Sequence, residues 1–384
     1  MVDRTLVAGP RPSGTFAGVL GNAAALRMLE KALSTGEVAH AYLFYGPPGV
    51  GRRTVARRFG AALVADGEGA AEDRARRGLH PDLAEVEPEG AFTTIGQIRE
   101  VLRLAASRPF EGARRVFLLR ADTLNVQAAN ALLKTLEEPE GETVFVLLAT
   151  SRDGVLPTIS SRTRPVRFDP VPTAEVARFL EECGGGAEAG VRTPGTTRPP
   201  LEPAVAAALG RGSVGLSLRY FGEGELRELR EVVFEAGFAL SGDFEARSEA
   251  ARAIFERAEA VGAAREASFL ETLEDPDRQT RDRAKRAGRA ARDGAVREAL
   301  DLLAIAYRDA AVVVAGAPEL ATNVDRVEEI RRHVEEHPAA DWAGAALVPG
   351  EARAALTYNV SPEAILEVAL SRTRRRVLGP SPGS

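Results

Sequence analysis

A chain of 384 residues is long enough for two or three domains, each with its own core. Hydrophobic residues make up 45% and charged residues 27%; with no apolar run able to span a bilayer and no signal-like N-terminus, the composition predicts a cytoplasmic protein without a membrane partner. The net charge of −5 excludes a global nucleic-acid footprint, and one cysteine, Cys183, excludes an internal disulfide and a cysteine zinc site.

Residues 1–15 are rich in Pro and Gly and are expected to be flexible, with order beginning near Phe16. Leu26, Met28, Leu29 and Leu33 then recur at helical spacing. The apolar run at 41–45 predicts a strand, and the loop GPPGVGRRT at 46–54 joins it to a helix over 53–64. Glycines let backbone N–H groups converge on a phosphate, and the helix N-terminus adds partial positive charge, so Gly46, Gly49 and Gly51 fit a phosphate loop. In the full pattern a lysine then reaches the phosphates and a Ser or Thr hydroxyl ligates magnesium. Arg52 and Arg53 hold those two places, and Thr54 comes one residue late. Arg52 keeps the charge on a bulkier planar head, whereas Arg53 cannot ligate a metal. The glycine frame is kept and its chemical end is lost.

Residues 66–78 are polar and read as an exposed loop leading to His80, Pro81 and Asp82. A helix is predicted over 95–107 and a short buried strand over 115–119. The next helix is signalled by Asn125 as N-cap, by Ala128, Leu132, Leu133 and Leu136 on one face, and by Pro139 as its stop. A buried strand follows at 143–149, and the alternation argues for an α/β fold with a parallel sheet. Beyond Phe168 the strand signals largely disappear. Helices over 173–182 and 202–209 flank a Gly/Pro-rich spacer, 184–200, flexible by composition, and 223–378 reads as almost wholly helical. The charge-dense stretch 275–297 alternates in sign, as a solvated helix face does. HVEEH, from His333 to His337, matches the HxxEH of inverted zinc proteases, but Pro338 ends the helix at once and no third ligand is apparent, so no metal is expected there.

Three motifs carry a resemblance. HAYLFYGPPGVG (40–51), ADTLNVQAANALLKTLEEPE (121–140) and LPTISSRT (156–163) resemble the bacterial replicative clamp-loader subunits of the AAA+ class. The likeness is clear between residues 16 and 220 and weaker in LATNVD (320–325) and YNVSPEAILE (358–367). It implies an AAA+ P-loop core at 1–170, a small helical lid at 171–222 and an all-α collar for oligomerisation at 223–384. It also implies a ring shared with gamma/tau and delta subunits, which opens a sliding clamp and places it on primed DNA.

In the ATP-hydrolysing members of that family a second strand ends in Asp-Glu, which holds magnesium and polarises the attacking water. Leu119 and Arg120 stand at those places here, and Asp122 falls in the next turn. The family's sensor-two arginine is missing from GSVGLSL at 212–218, where Gly215 and Leu216 stand. With lysine, hydroxyl, acidic pair and second sensor all altered, the resemblance implies a non-catalytic subunit, while weak ATP binding by the loop stays open. The alternatives are an active gamma-like ATPase that uses Arg52, and a repair or recombination AAA+ accessory. Ser161-Arg162-Thr163 resembles the family's Ser-Arg-Cys motif, which makes Arg162 a trans-acting arginine finger for a neighbour's ATP site. Thr150 and Ser151 fall in the first-sensor region and are read as structural. Many members carry a cysteine-ligated zinc module before the His-Pro-Asp segment; those cysteines are absent, so no zinc is expected.

Overall fold

The computed structural model describes residues 14–379 apart from 66, 68, 89–91, 139–140, 186–200, 223, 240–243, 272–276 and 357–359. The expected flexibility of the N-terminal residues up to 13 and of the spacer beyond 185 therefore falls outside the described residues. Packing divides the chain into two units, Met1–Glu182 with Gly210–Ser217, and Cys183–Leu209 with Leu218–Ser384.

The first unit alternates strands and helices: α1 (Ala23–Thr35), β1 (Ala41–Tyr45), α2 (Arg52–Ala65), α3 (Gly69–Arg76), β2 (Leu83–Val86), α4 (Ile95–Ala105), β3 (Arg115–Arg120), α5 (Val126–Glu137), β4 (Thr143–Ala149), α6 (Pro157–Ser160), β5 (Arg164–Arg167) and α7 (Thr173–Gly185). The strands make one five-stranded sheet in the order β2-β3-β4-β1-β5, with every pairing parallel. A parallel sheet covered on both faces needs apolar residues on both, and β4, TVFVLLA, is buried along its whole length. Because side chains alternate across a strand, Tyr42, Phe44, Val144 and Val146 build one core with Phe59 and Phe168. Leu43, Phe145 and Leu147 build the other with Ile98, Leu132 and Leu136. Asn125 caps α5 as its sequence predicts, its Oδ1 accepting the Ala128 N–H at 2.8 Å.

Two readings of this unit need correction. Residues 66–78 are not merely a loop, since they carry α3, whose Ala71 and Ala75 lie one helical turn apart and are buried, with Arg76 paired to Glu72 on the outside. Two strands also went unpredicted. β2 is only half-buried, and in β5 Val166 is buried while Arg164 and Arg167 are exposed. Both are short sheet edges, where charges at the rim hide the strand pattern.

The second unit is helical: α8 (Pro203–Leu209), α9 (Val214–Gly222, which begins in the first unit), α10 (Gly224–Phe238), α11 (Phe244–Glu271), α12 (Arg278–Val314), α13 (Val327–Glu336), α14 (Trp342–Ala355) and α15 (Pro362–Leu378). Phe238, Tyr307 and Trp342 cluster at its centre, where the Tyr307 hydroxyl donates to the Gly237 carbonyl at 2.8 Å. Burial pushes the Tyr307 phenol well above its ordinary pKa. The LATNVD segment is tied down by buried charge: Asp309 accepts the Asn323 N–H at 2.8 Å, and the buried Arg230 donates to Asn323 and Asp325. Among the described residues no helix is long and apolar enough to cross a membrane.

Asp82, fully buried before β2, locks the N-terminal edge of the sheet. Its carboxylate accepts the N–H groups of Phe110, Glu111 and Gly112 at 2.7, 2.9 and 3.0 Å and pairs with Arg115 at 2.9 Å. Burial alone would raise its pKa, but the Gly112, Phe110 and Glu111 N–H groups and the Arg115 guanidinium outweigh that and hold it below the usual carboxylate range. The stability it contributes is therefore present above the unfolded-state value and lost as pH falls through the lower folded-state value. Asp82→Asn is expected to cost about 3 kcal/mol at pH 7. The gap between the two proteins in urea unfolding should narrow below about pH 3.9, and a gap independent of pH would contradict this role.

Candidate phosphate loop and arginine site

The loop between β1 and α2 is shaped by what its glycines lack. Gly46, Gly49 and Gly51 have φ of 151°, 77° and 95°, a backbone region that favours glycine. A Cβ on Gly46 would lie 2.1 Å from the Phe168 carbonyl oxygen, and one on Gly49 would lie 1.8 Å from Ser213 Oγ. The Gly49 carbonyl also accepts the Gly215 N–H at 3.2 Å. The GSVGLSL segment, named in the sequence for the arginine it lacks, is thus the wall against which the loop packs.

The two arginines that follow separate. Arg53 is drawn sideways into ion pairs with Glu85 and Glu87, at the end of β2 and just past it, beside an Arg57–Glu85 bond of 2.8 Å. Thr54 is exposed. Arg52 alone stays with the loop, and its Nε is buried without a hydrogen-bond partner. Burial lowers the Arg52 pKa, the Asp122 carboxylate raises it and the Arg120 charge lowers it again. At the end of β3, Leu119 is buried in the apolar core, while Arg120 is exposed and lies 3.3 Å from Asp122 Oδ1. That donor set does not fit a magnesium ion, which takes carboxylates and water at its oxygen positions. The loop keeps the backbone frame of a phosphate site and the charge of one arginine.

Arg162 sits elsewhere, on the turn after α6. Its own N–H donates to the Ile159 carbonyl at 3.0 Å, and Thr163, buried, donates its hydroxyl to the Ser160 carbonyl at 3.1 Å, so the backbone under the side chain is fixed. The Arg162 guanidinium donates from Nε to Glu137 Oε1 at 2.6 Å and from Nη1 to the Thr158 carbonyl at 2.8 Å. Exposed Ser161 donates its hydroxyl to the same carbonyl at 3.2 Å. Thr150 and Ser151 are exposed, and the Ser151 Oγ accepts the Gly154 N–H at 3.1 Å within the loop.

The structure therefore does not bring the sequence-predicted site residues into one site: the loop residues and Arg162 lie at different ends of the sheet's connections. Sequence reasoning missed Glu137, Glu85, Glu87 and Ser213. Glu137 was visible as part of LLKTLEEPE, but nothing in the sequence says which partner it meets. The HVEEH residues are also apart in role. His333 stacks on Phe238 with ring centroids 4.5 Å apart, and His337 lies past the end of α13. Among the described residues no three potential metal-ligating groups cluster.

A family model described as DNA polymerase III, delta subunit, matches residues 21–172. Over this stretch the chain is similar to DNA polymerase III subunits named delta′ and gamma/tau. Over 135 residues the chain is 43% identical to DNA polymerase III subunit delta′ of Pseudomonas aeruginosa, covering 32% of this chain and 41% of that protein. The delta′ subunit of Bacillus subtilis is 31% identical over 167 residues, 41% of this chain and 50% of that protein. The gamma/tau subunit of Mycobacterium tuberculosis is 33% identical over 189 residues, 45% of this chain and 32% of that protein. The chain thus spans half or less of the length of these relatives. A gamma subunit-related protein of Thermotoga maritima superposes with a TM-score of 0.42 and 18% identity, over 91% of this chain and 99% of the other.

Two glycine replacements test the loop geometry. Gly51→Ala has nothing within 4 Å of the added Cβ and is expected to cost about 1 kcal/mol for its positive φ alone. Gly49→Ala meets Ser213 as well and should cost about 1–3 kcal/mol more. Thermal unfolding of the two variants checks this; equal losses would mean that the Ser213 wall is not in contact.

Proposed function

We propose that this chain is the non-catalytic delta prime subunit of a DNA polymerase III clamp loader. It joins gamma/tau and delta subunits in a ring, helps place the sliding clamp on primed DNA, and supplies Arg162 to a neighbour's ATP site. The observation that carries the reading is the contrast between its two sites. At its own loop the groups expected for hydrolysis are replaced, with Leu119 buried in the core, Arg53 paired to Glu85 and Glu87, and the Asp122 carboxylate 3.3 Å from Arg120. At the other site Arg162 stands on a fixed turn with its side chain one-third exposed, where a second chain can meet it. A guanidinium supplied in trans stabilises the charge that spreads over a transferring phosphoryl group, and that contribution needs no catalysis in cis.

On this reading the subunit requires no bound nucleotide, metal or zinc of its own, and the helical second unit is the collar that holds the ring. The relatives named delta′ support the assignment. Relatives named gamma/tau keep an active ATPase as the second reading, and Arg52, which stays with the loop, is the residue that would serve it.

The test is ATP turnover by gamma/tau and delta subunits with clamp and primed DNA, measured without this chain, with it, and with its Arg162→Ala form. Strong stimulation by the native chain, cut at least tenfold in Arg162→Ala, is expected. Equal stimulation by both forms would remove the arginine role.

A further inference from the structure

Arg162 is not free in this chain. Its Nε–H donates to Glu137 Oε1 at 2.6 Å, and Nη2 pairs with the same carboxylate. Nη1 donates to the Thr158 carbonyl at 2.8 Å and to Ser161 Oγ at 3.3 Å. Of the five N–H groups of a guanidinium, one on Nη2 is left over. The Glu137 carboxylate also offsets part of the positive potential that a transferring phosphoryl group would draw on. Glu137 is the last residue of α5, whose Leu132 and Leu136 are buried in the core, so the carboxylate is held on a rigid element.

We propose that Glu137 is a latch that stows Arg162 until a neighbouring subunit presents ATP. The proposal rests on the reading of Arg162 as a trans-acting arginine. The backbone at Arg162 is already fixed by the bond to Ile159, so engagement requires only the side chain to swing from one anion to another. A triphosphate offers more charge and more acceptor oxygens than one carboxylate, and takes the guanidinium over. Glu137 and Arg162 side chains are 48% and 33% exposed, and an ion pair that wet is weak. The latch therefore biases engagement without blocking it, and makes contact of a lone subunit with unrelated anions slightly less favourable.

The experiment titrates full-length chain into gamma/tau and delta subunits with clamp, primed DNA and ATP, and reads both assembly, by fluorescence anisotropy of labelled chain, and ATP turnover. Glu137→Gln keeps the size and an acceptor oxygen but removes the charge. It is expected to lower the half-saturating concentration about two- to fivefold with plateau turnover undiminished, and to have no such effect in an Arg162→Ala background. An unchanged half-saturating concentration overturns the latch. So does a fall in plateau turnover, or the same shift with and without Arg162, either of which makes Glu137 a supporting residue instead. If native and Arg162→Ala chains stimulate turnover equally, it is the functional reading that fails and not the latch alone.

Discussion

The turn from β1 into α2 exists in this shape because Gly46 and Gly49 leave no side chain to be housed. Gly46 is pressed against the Phe168 carbonyl and Gly49 against the Ser213 side chain, so the end of β1, the chain leaving β5 and the residue before α9 converge on the glycine backbone. A β-carbon at Gly46 requires the Phe168 backbone to move, and one at Gly49 requires the Ser213 side chain to give way. This packing gives the glycines a reason to stay that is independent of phosphate chemistry. It holds the frame of the loop whether or not a nucleotide uses it.

Charge is handled differently at the two ends of the core. Around the loop three arginines gather: Arg52 lies partly buried, Arg53 pairs with Glu85 and Glu87, and Arg120 lies against Asp122. A divalent cation would find cationic heads where it needs carboxylates. At the far end of α5 the arrangement is reversed, with one arginine on a fixed turn and one carboxylate to hold it. The first end gathers cationic heads around a glycine loop, and the second holds a single ion pair at the surface.

Much of the first unit was legible in the sequence because its central strands are continuous apolar runs and α5 carries its own start and stop. β1 and β4 and the inner residues of β3, Val116 to Leu119, are buried on both faces and form apolar runs. β5, RPVR, buries one side chain and offers no pattern, and β2 is half-buried throughout. The helix within 66–78 was hidden by its arginines, although Ala71 and Ala75 at helical spacing were the available signal. The candidate site was legible as residues and not as partners. Arg53 read as part of the phosphate loop because its true partners, Glu85 and Glu87, lie in and just past a strand that the sequence concealed. Glu137 sat inside a recognised motif, yet its meeting with Arg162 depends on how α6 folds back onto α5, which no local pattern encodes.

The central claim is that the chain's own loop does not turn over nucleotide. Its most direct test is magnesium-dependent ATP turnover by the purified chain alone, alongside its Arg52→Ala form. No turnover above buffer for either protein is the predicted result. Turnover by the native chain that disappears in Arg52→Ala would contradict the account and make Arg52 a working substitute for the missing lysine.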